Sequence, residues 1–184
     1  MTRVSFRSLK PNVTRNEAVE TFRGRGPGAF LRRLRNGALR CVADVYVPFR
    51  LYRVEIANGA AAQRHWFALD AVNGMLDLYE FARVPDEVET SNVESGNRVP
   101  AALGEARGHE LLREKVLRAV FQQGFFHARA PKIEPILEPV ELHVPYWLGF
   151  YGADPSVRCD VLDAVRRRLE GAKARAFFEA WLTS

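Results

Sequence analysis

Alternating apolar and polar positions predict β-strands over several parts of this chain. Leu39 to Ile56 is rich in Val, Tyr and Phe and has no turn-forming pair in its interior, so it predicts one long strand that bends or bulges at Pro48. His65 to Asp70 and Met75 to Phe81 predict two further strands, joined by a tight turn at Asn73-Gly74. Together these segments predict an antiparallel meander.

Helical signals precede this meander and recur later in the chain. Thr14-Arg-Asn-Glu17 is a capping-box pattern, in which a hydroxyl and a carboxylate satisfy free amides at the start of a helix. Helical spacing resumes over Ala29 to Arg35, after the glycines between 24 and 28. A second helix is predicted from about His109 to Phe126, where apolar residues recur at helical spacing.

Two short motifs occur twice in the same order, which indicates an internal repeat. Val-Pro-aromatic recurs at an offset of 97 residues, at Pro48 and Pro145, and Leu-Asp-Ala-Val recurs at an offset of 93, ending at Val72 and Val165. The repeat predicts a second long strand from about Ile136 to Tyr151. The apolar spacing from Val157 to Leu182 also fits one amphipathic helix, but the repeat favours a strand over Val157 to Asp163 and a helix from Ala172.

The predicted fold class is therefore α+β, with tandem duplicated α-β-β-β units whose antiparallel sheets are each covered by helix. The first unit with the basic N-terminal region spans residues 1–83, and the second, with a C-terminal helix, spans 108–184. Residues 84–107 are polar, acidic and poor in periodic apolar positions, which predicts a linker. The pattern leaves open whether the two copies share one sheet.

The segment Phe67-Ala-Leu-Asp-Ala-Val-Asn-Gly-Met-Leu76, read with the α-β-β-β order, resembles PepSY-type domains and the broader cystatin-like group. The resemblance covers residues 40–82 well and 136–171 loosely. The second copy departs from it, because Arg166-Arg-Arg168 stands where a glycine turn is expected. The resemblance implies a cystatin-like fold and a non-enzymatic inhibitory, regulatory or protein-binding role, and it carries no catalytic residues to this chain.

The charge of the chain is uneven. Residues 1–40 hold ten basic and two acidic side chains, a net charge of +8 against +5 for all 184 residues. Such asymmetry is typical of a region that binds nucleic acid or another anionic surface, and also of a face that is simply exposed to solvent. No apolar run approaches the roughly 20 residues of a membrane helix, and the N-terminus does not resemble a signal peptide, so we expect a cytoplasmic protein that does not bind membranes.

The residues that commonly carry chemistry form no complete motif. His65, His109, His127 and His143 lack metal-ligand spacing, Cys41 and Cys159 match no redox or metal pattern, and we expect free buried thiols and no metal or cofactor. Asp70 and Asp163 are equivalent in the repeat. They could form a carboxylate pair in a cleft between the copies, but a structural role before a turn explains both.

Two candidate surfaces remain. The residues around the two prolines, Pro48, Phe49, Pro145, Tyr146 and Trp147, form a candidate surface for a protein partner or a second copy of the chain. Arginines of the N-terminal region are candidate contacts for an anionic partner such as nucleic acid: Arg23, Arg25, Arg32, Arg33 and Arg35. The leading hypothesis is a non-catalytic binding or regulatory module. The alternatives are a nucleic-acid-binding protein that uses the Arg-rich N-terminal 40 residues, and an enzyme with a cleft between the copies.

Overall fold

The computed structural model describes residues 3–24, 37–58, 61–122, 133–152 and 158–183. Within these residues the order of elements is β1 (Val4–Leu9), α1 (Arg15–Arg23), β2 (Leu39–Asn58), β3 (Ala61–Asp70), β4 (Tyr79–Phe81), β5 (Thr90–Ser95), α2 (Glu105–Gln122), β6 (Ile133–Tyr151), β7 (Arg158–Asp163), β8 (Arg168–Leu169) and α3 (Ala172–Leu182).

All of these strands belong to one curled, mixed sheet. The strand order is β4-β3-β2-β6-β1-β5, and β7 also pairs with β6 and carries β8. The long strands β2 and β6 are antiparallel to each other along most of their length, whereas β1 runs parallel to β6. The prediction of an α+β protein with tandem α-β-β-β units is therefore wrong, because the chain is mostly β and its two long strands pair with each other instead of closing separate sheets.

The long strand around Pro48 is confirmed, but its irregularities lie elsewhere. The register between β2 and β6 shifts between Leu39 and Cys41 and between Arg50 and Tyr52. Tyr46 donates its amide to Asn97 and accepts from Val99, so even-numbered residues of β2 direct their backbone groups away from β6. The nitrogen of Pro48 points the same way, and for this reason the proline removes no hydrogen bond between the two central strands.

Residues 84–107, predicted to be a linker, contain a strand. β5 pairs antiparallel with β1 over six residues, from Val4 opposite Ser95 to Leu9 opposite Thr90. After β5 the chain hydrogen-bonds to Tyr46 of β2. The β1–β5 ribbon, defined as Val4–Leu9 with Thr90–Ser95, therefore connects the outer edge of β6 to the outer edge of β2.

The sheet has two buried faces, which follow from the alternation of side chains along β2. Odd-numbered residues such as Val45, Val47 and Phe49 point to the face that packs against Phe177 and Phe178 of α3, which we call the inner face. Even-numbered residues point to the opposite, outer face, where α1 and α2 lie. The main core is therefore on the inner face, and two smaller apolar clusters lie under the two outer helices.

Each outer helix packs on strands of both halves of the chain. Phe22 of α1 lies against Gly149 of β6, where a Cβ atom would approach the Phe22 ring to 2.7 Å, and Tyr151 donates a hydrogen bond to the Phe22 carbonyl at 2.8 Å. Leu112 and Val116 of α2 belong to a cluster that includes residues of β2, β3 and β6. Each outer helix therefore bridges the two halves of the chain.

The central ladder is consistent with a local two-fold axis. Val47 pairs with Val144, and these residues are equivalent at the repeat offset of 97. The flanking pairs, Tyr46 with Pro145 and Pro48 with His143, are converted into each other when the two halves are exchanged. An axis between Val47 and Val144 therefore relates the two long strands.

None of the helices in the described part of the chain is long and apolar enough to cross a membrane.

Candidate binding surface

Asp70 and Asp163 occupy equivalent turns and are both fully buried. Asp70 is the last residue of β3, and Asp163 is the last residue of β7. Oδ1 of Asp70 accepts the amides of Val72, Asn73 and Gly74 at 2.9–3.2 Å, and its Oδ2 accepts the amide of Leu76 at 2.8 Å. This carboxylate is saturated by backbone donors, as expected for an aspartate that holds a turn together.

Asp163 is held in a similar way but has a side-chain partner. Its Oδ1 accepts the amides of Val165 and Arg166 at 2.9 and 2.8 Å, and its Oδ2 accepts the hydroxyl of Tyr79. The Arg166 guanidinium lies 3.7 Å from the centre of the Tyr79 ring. Burial, followed by the charges of neighbouring groups including Asp163, raises the pKa of Tyr79 far above its usual range.

These contacts join the turns of the two halves, and they leave neither carboxylate available to a substrate. A cleft with an acid–base pair needs carboxylates that face a solvent-accessible space, whereas Asp70 and Asp163 face the core and bind groups of the chain itself. The arrangement therefore supports the structural role of both residues.

The candidate partner surface around the prolines lies mostly in the interior. Pro48, Phe49, Pro145 and Tyr146 are buried, and Trp147 is half-buried with its indole nitrogen donating to the carbonyl of Val13 at 3.0 Å. Phe49 and Tyr146 point to the inner face and contribute to the main core. In this arrangement the side chains around the prolines are not presented to a partner.

The candidate contacts for an anionic partner fall largely outside the described residues. Arg23 is exposed in the last turn of α1, whereas Arg25, Arg32, Arg33 and Arg35 lie in a range that the structure does not describe. Two other basic residues of the N-terminal region bind their own chain. Arg7 donates to Thr90 and to the Pro85 carbonyl, and Lys10 donates to carbonyls of residues 87 and 88.

The cysteines and histidines form no metal site in the described part of the chain, where no group of three or more potential ligands converges. Cys159 is buried and Cys41 is exposed, and both thiols are free. Both residues are aligned with Phe150 of β6, which lies between them, so they are two strand spacings apart. That is about 9.6 Å, beyond the reach of a disulfide.

A different set of residues leaves hydrogen-bonding capacity unused. One row of side chains crosses four strands on the inner face at the margin of the core, and we call it the open row: Phe81 of β4, Trp66 of β3, Arg53 of β2 and Ile136 of β6. Ile136 is 47% exposed, and the other three are half-buried. The next row toward the core, which includes Leu51 and Ala68, is fully buried.

Two neighbours in the open row have buried donors without acceptors in the described part of the chain. These are Nε1 of Trp66 and Nε of Arg53, which lie on directly paired residues. Arg53 forms an ion pair with Glu138, in which Nε and Oε1 are 3.5 Å apart, but its Nε–H makes no hydrogen bond. A buried donor without an acceptor costs about 1–3 kcal/mol, so two such donors side by side indicate a place for an external acceptor.

The open row escaped the sequence-based prediction. Trp66 and Phe67 are adjacent, and the alternation of the strand places them on opposite faces, but nothing local shows which face is covered. The row exists only because β4, β2 and β6 align beside Trp66, which is a long-range arrangement.

Comparisons of this chain with protein-family models, with curated proteins and with solved structures found no match. The PepSY-type resemblance of residues 40–82 stays a prediction.

Proposed function

We propose that this protein is a non-catalytic binding module and that the open row is its binding surface. The observation that carries the proposal is the pair of buried, unused donors on Trp66 and Arg53. They are flanked by the apolar side chains of Phe81 and Ile136. The open row combines apolar surface with two fixed hydrogen-bond donors. It therefore suits a residue of a partner that has an apolar side chain and a free carbonyl oxygen.

The electrostatics of the row favour a neutral acceptor. The charge of Arg53 is already balanced by Glu138, and the neighbouring row toward solvent adds Glu55 and Arg64, whose side chains pair with each other at 3.2 Å. A carboxylate placed at the row would therefore meet Glu138, and the cations of the row and its neighbouring row in the described residues are already paired. A peptide carbonyl satisfies both donors without that repulsion, so we assign a polypeptide as the partner.

Selection from a displayed library of random peptides tests the proposal. Peptides enriched on the wild-type protein are measured against Trp66→Phe, which removes the Nε1–H and keeps an aromatic ring, and against Arg53→Lys, which keeps the charge and removes the Nε–H. Each loss of one hydrogen bond is expected to weaken binding about tenfold, which corresponds to about 1.4 kcal/mol.

Matched controls separate the open row from general effects on the fold. Trp147→Phe removes an indole donor that is bound within the chain, and Arg64→Lys changes an exposed arginine one row further out. Both controls should retain the selected peptides. The proposal is refuted if no peptide is enriched, or if the enriched peptides bind Trp66→Phe and Arg53→Lys as tightly as wild type.

A further inference from the structure

His143 of β6 is the point at which β1 attaches to the central strands. Ser8 lies opposite His143 in the only register pair between β1 and β6 within the described residues, and the Ser8 hydroxyl donates to the His143 carbonyl at 3.1 Å. The ring of Phe6 packs on the imidazole with a centroid distance of 4.3 Å. The carbonyl of Arg7 lies 3.3 Å from Nδ1 of His143. Three consecutive residues of β1 therefore contact this one histidine.

The two ring nitrogens of His143 have different surroundings. In the neutral ring a proton on Nδ1 is donated to the Arg7 carbonyl, because a carbonyl can only accept. Nε2 is then a bare acceptor. It is buried and has no hydrogen-bond partner in the described part of the chain, and Oε1 of Glu141 lies 3.8 Å away. A second proton would have to be placed on this buried nitrogen.

The groups that face His143 come from four elements. Glu141 of β6 favours the charged ring, and Arg98, which follows β5, opposes it. On β1, Arg7 directs its guanidinium toward Thr90 and the carbonyl of residue 85, away from the imidazole. Tyr46 of β2 contacts the Phe6 ring with a centroid distance of 5.2 Å, and burial, together with Asp44, raises its pKa to about 12, so it stays neutral.

We propose that His143 is a proton-operated latch that holds the β1–β5 ribbon on β6 in its neutral form and releases β1 when it is protonated. Burial lowers the pKa of His143 from its ordinary value, and the opposing effect of the Glu141 carboxylate, which is half-exposed, is smaller. Once β1 detaches, the imidazole meets water and regains its ordinary pKa of 6.5. Protons therefore bind the detached state more tightly than the attached state.

The sign and size of the effect follow from this difference. Because the pKa is depressed in the attached state, attachment is fully favoured above the ordinary pKa and weakens as the pH falls below it. Between about pH 7.5 and about pH 5.5, protonation of a group with an ordinary pKa favours the detached state by up to about tenfold.

Amide hydrogen exchange followed by NMR at these two pH values tests the latch. After correction for the intrinsic exchange rates, we expect the protection of β1 and β5 amides to fall by up to about tenfold at the lower pH, while the central amides of β2 and β3 keep theirs. His143→Asn retains a side-chain donor toward the Arg7 carbonyl and cannot titrate in this range, so its ribbon should lose the pH response. His65→Asn, the same change on β3, should keep it.

A titration of the wild-type imidazole signals provides a second measurement that does not depend on any variant. His143 should titrate below the ordinary range, and the amide signals of β1 should shift with the same midpoint. The latch is excluded if His143 titrates at or above its ordinary pKa. It is also excluded if low pH increases the protection of β1, which would mean that the Glu141 pair dominates, or if His143→Asn keeps the pH response.

Discussion

The two equivalent aspartates differ in their side-chain partners, and that difference predicts unequal effects of the same substitution. Replacing either carboxylate with an amide removes one negative charge and keeps the size of the side chain. In Asp70→Asn the remaining oxygen can keep the three amides of residues 72–74, but the new NH2 group faces the amide of Leu76. Two donors then meet in a buried place with no acceptor between them.

In Asp163→Asn the corresponding NH2 group faces a hydroxyl instead. The Tyr79 hydroxyl donates to Asp163 in the wild type, and it can rotate to accept from the new amide, since a hydroxyl has both capacities. The backbone amides of Val165 and Arg166 keep their acceptor. The loss is then mainly the charge assistance of these bonds and the long ion pair with the half-buried Arg166, whose guanidinium lies 3.9 Å from Oδ2.

The expected costs follow from these contacts. Asp70→Asn leaves one buried amide unpaired and weakens three charge-assisted bonds, so we expect the free energy of unfolding to fall by about 3 kcal/mol. Asp163→Asn should cost about 1 kcal/mol. Equilibrium denaturation in urea, followed by circular dichroism and tryptophan fluorescence, measures both values, provided that the slope against denaturant is unchanged. Equal losses of stability, or a larger loss for Asp163→Asn, would show that the backbone amides around Asp70 do not determine the cost of replacing it.

Three further predictions concern other parts of the fold. Gly149→Ala should destabilise the protein by about 1–3 kcal/mol in the same urea assay, because the new methyl group would lie 2.7 Å from the Phe22 ring. Cys41 should react rapidly with a thiol reagent such as 5,5′-dithiobis(2-nitrobenzoic acid) in the native protein. Cys159 should react only after unfolding, since it is buried and burial raises its pKa to about 12. Tyr46, whose pKa is about 12, contributes stability that is present below the ordinary tyrosine pKa of 10 and is lost as the pH rises toward 12, which alkaline denaturation curves of wild type and Tyr46→Phe would show.

Each of these predictions has a control and a contrary outcome. Gly171→Ala, where a Cβ meets nothing within 4 Å, should be tolerated, and equal losses for the two glycine variants would exclude the Phe22 contact as the cause. Reaction of both thiols at similar rates in the native protein would contradict the burial of Cys159. An alkaline denaturation curve that is unchanged in Tyr46→Phe would contradict the assigned role of Tyr46.

Local signals predicted the starts of α1 and α3 and most strands correctly, whereas α2 begins at Glu105 instead of about His109, and the strand predicted over Met75 to Phe81 is limited to Tyr79–Phe81. The capping box at Thr14 is present, with Glu17 accepting from the Thr14 amide at 2.8 Å. The C-terminal helix begins at Ala172, as the repeat indicated. The choice of strand over helix for the segment ending at Asp163 is also confirmed, because β7 ends at the aspartate that holds the turn, as β3 ends at Asp70. These features depend on residues that are close in sequence, so local patterns are enough to predict them.

The features that were missed depend on residues far apart. β5, with the sequence Thr-Ser-Asn-Val-Glu-Ser, has too few apolar residues to predict a strand, and it is ordered by pairing with β1, which is about 85 residues away. The fold class was wrong for the same reason, since alternation predicts that β2 and β6 are strands but not that they pair with each other. The open row needs four strands in register, and no window of the sequence contains all four.

The contacts of the outer helices with both halves have a consequence for folding. α1 covers β2 and also residues of β6, which is made more than a hundred residues later, and α2 covers β6 and also β2 and β3, which are made well before it. A fragment that ends in the loop near Val88, which is 77% exposed, would leave Phe22 without Gly149 to cover it, and the complementary fragment would lack the strands beneath Leu112. Neither fragment can complete a core alone, so the two should fold only together. The covalent connection then serves as a tether that supplies the high local concentration which two separate fragments would need in order to associate.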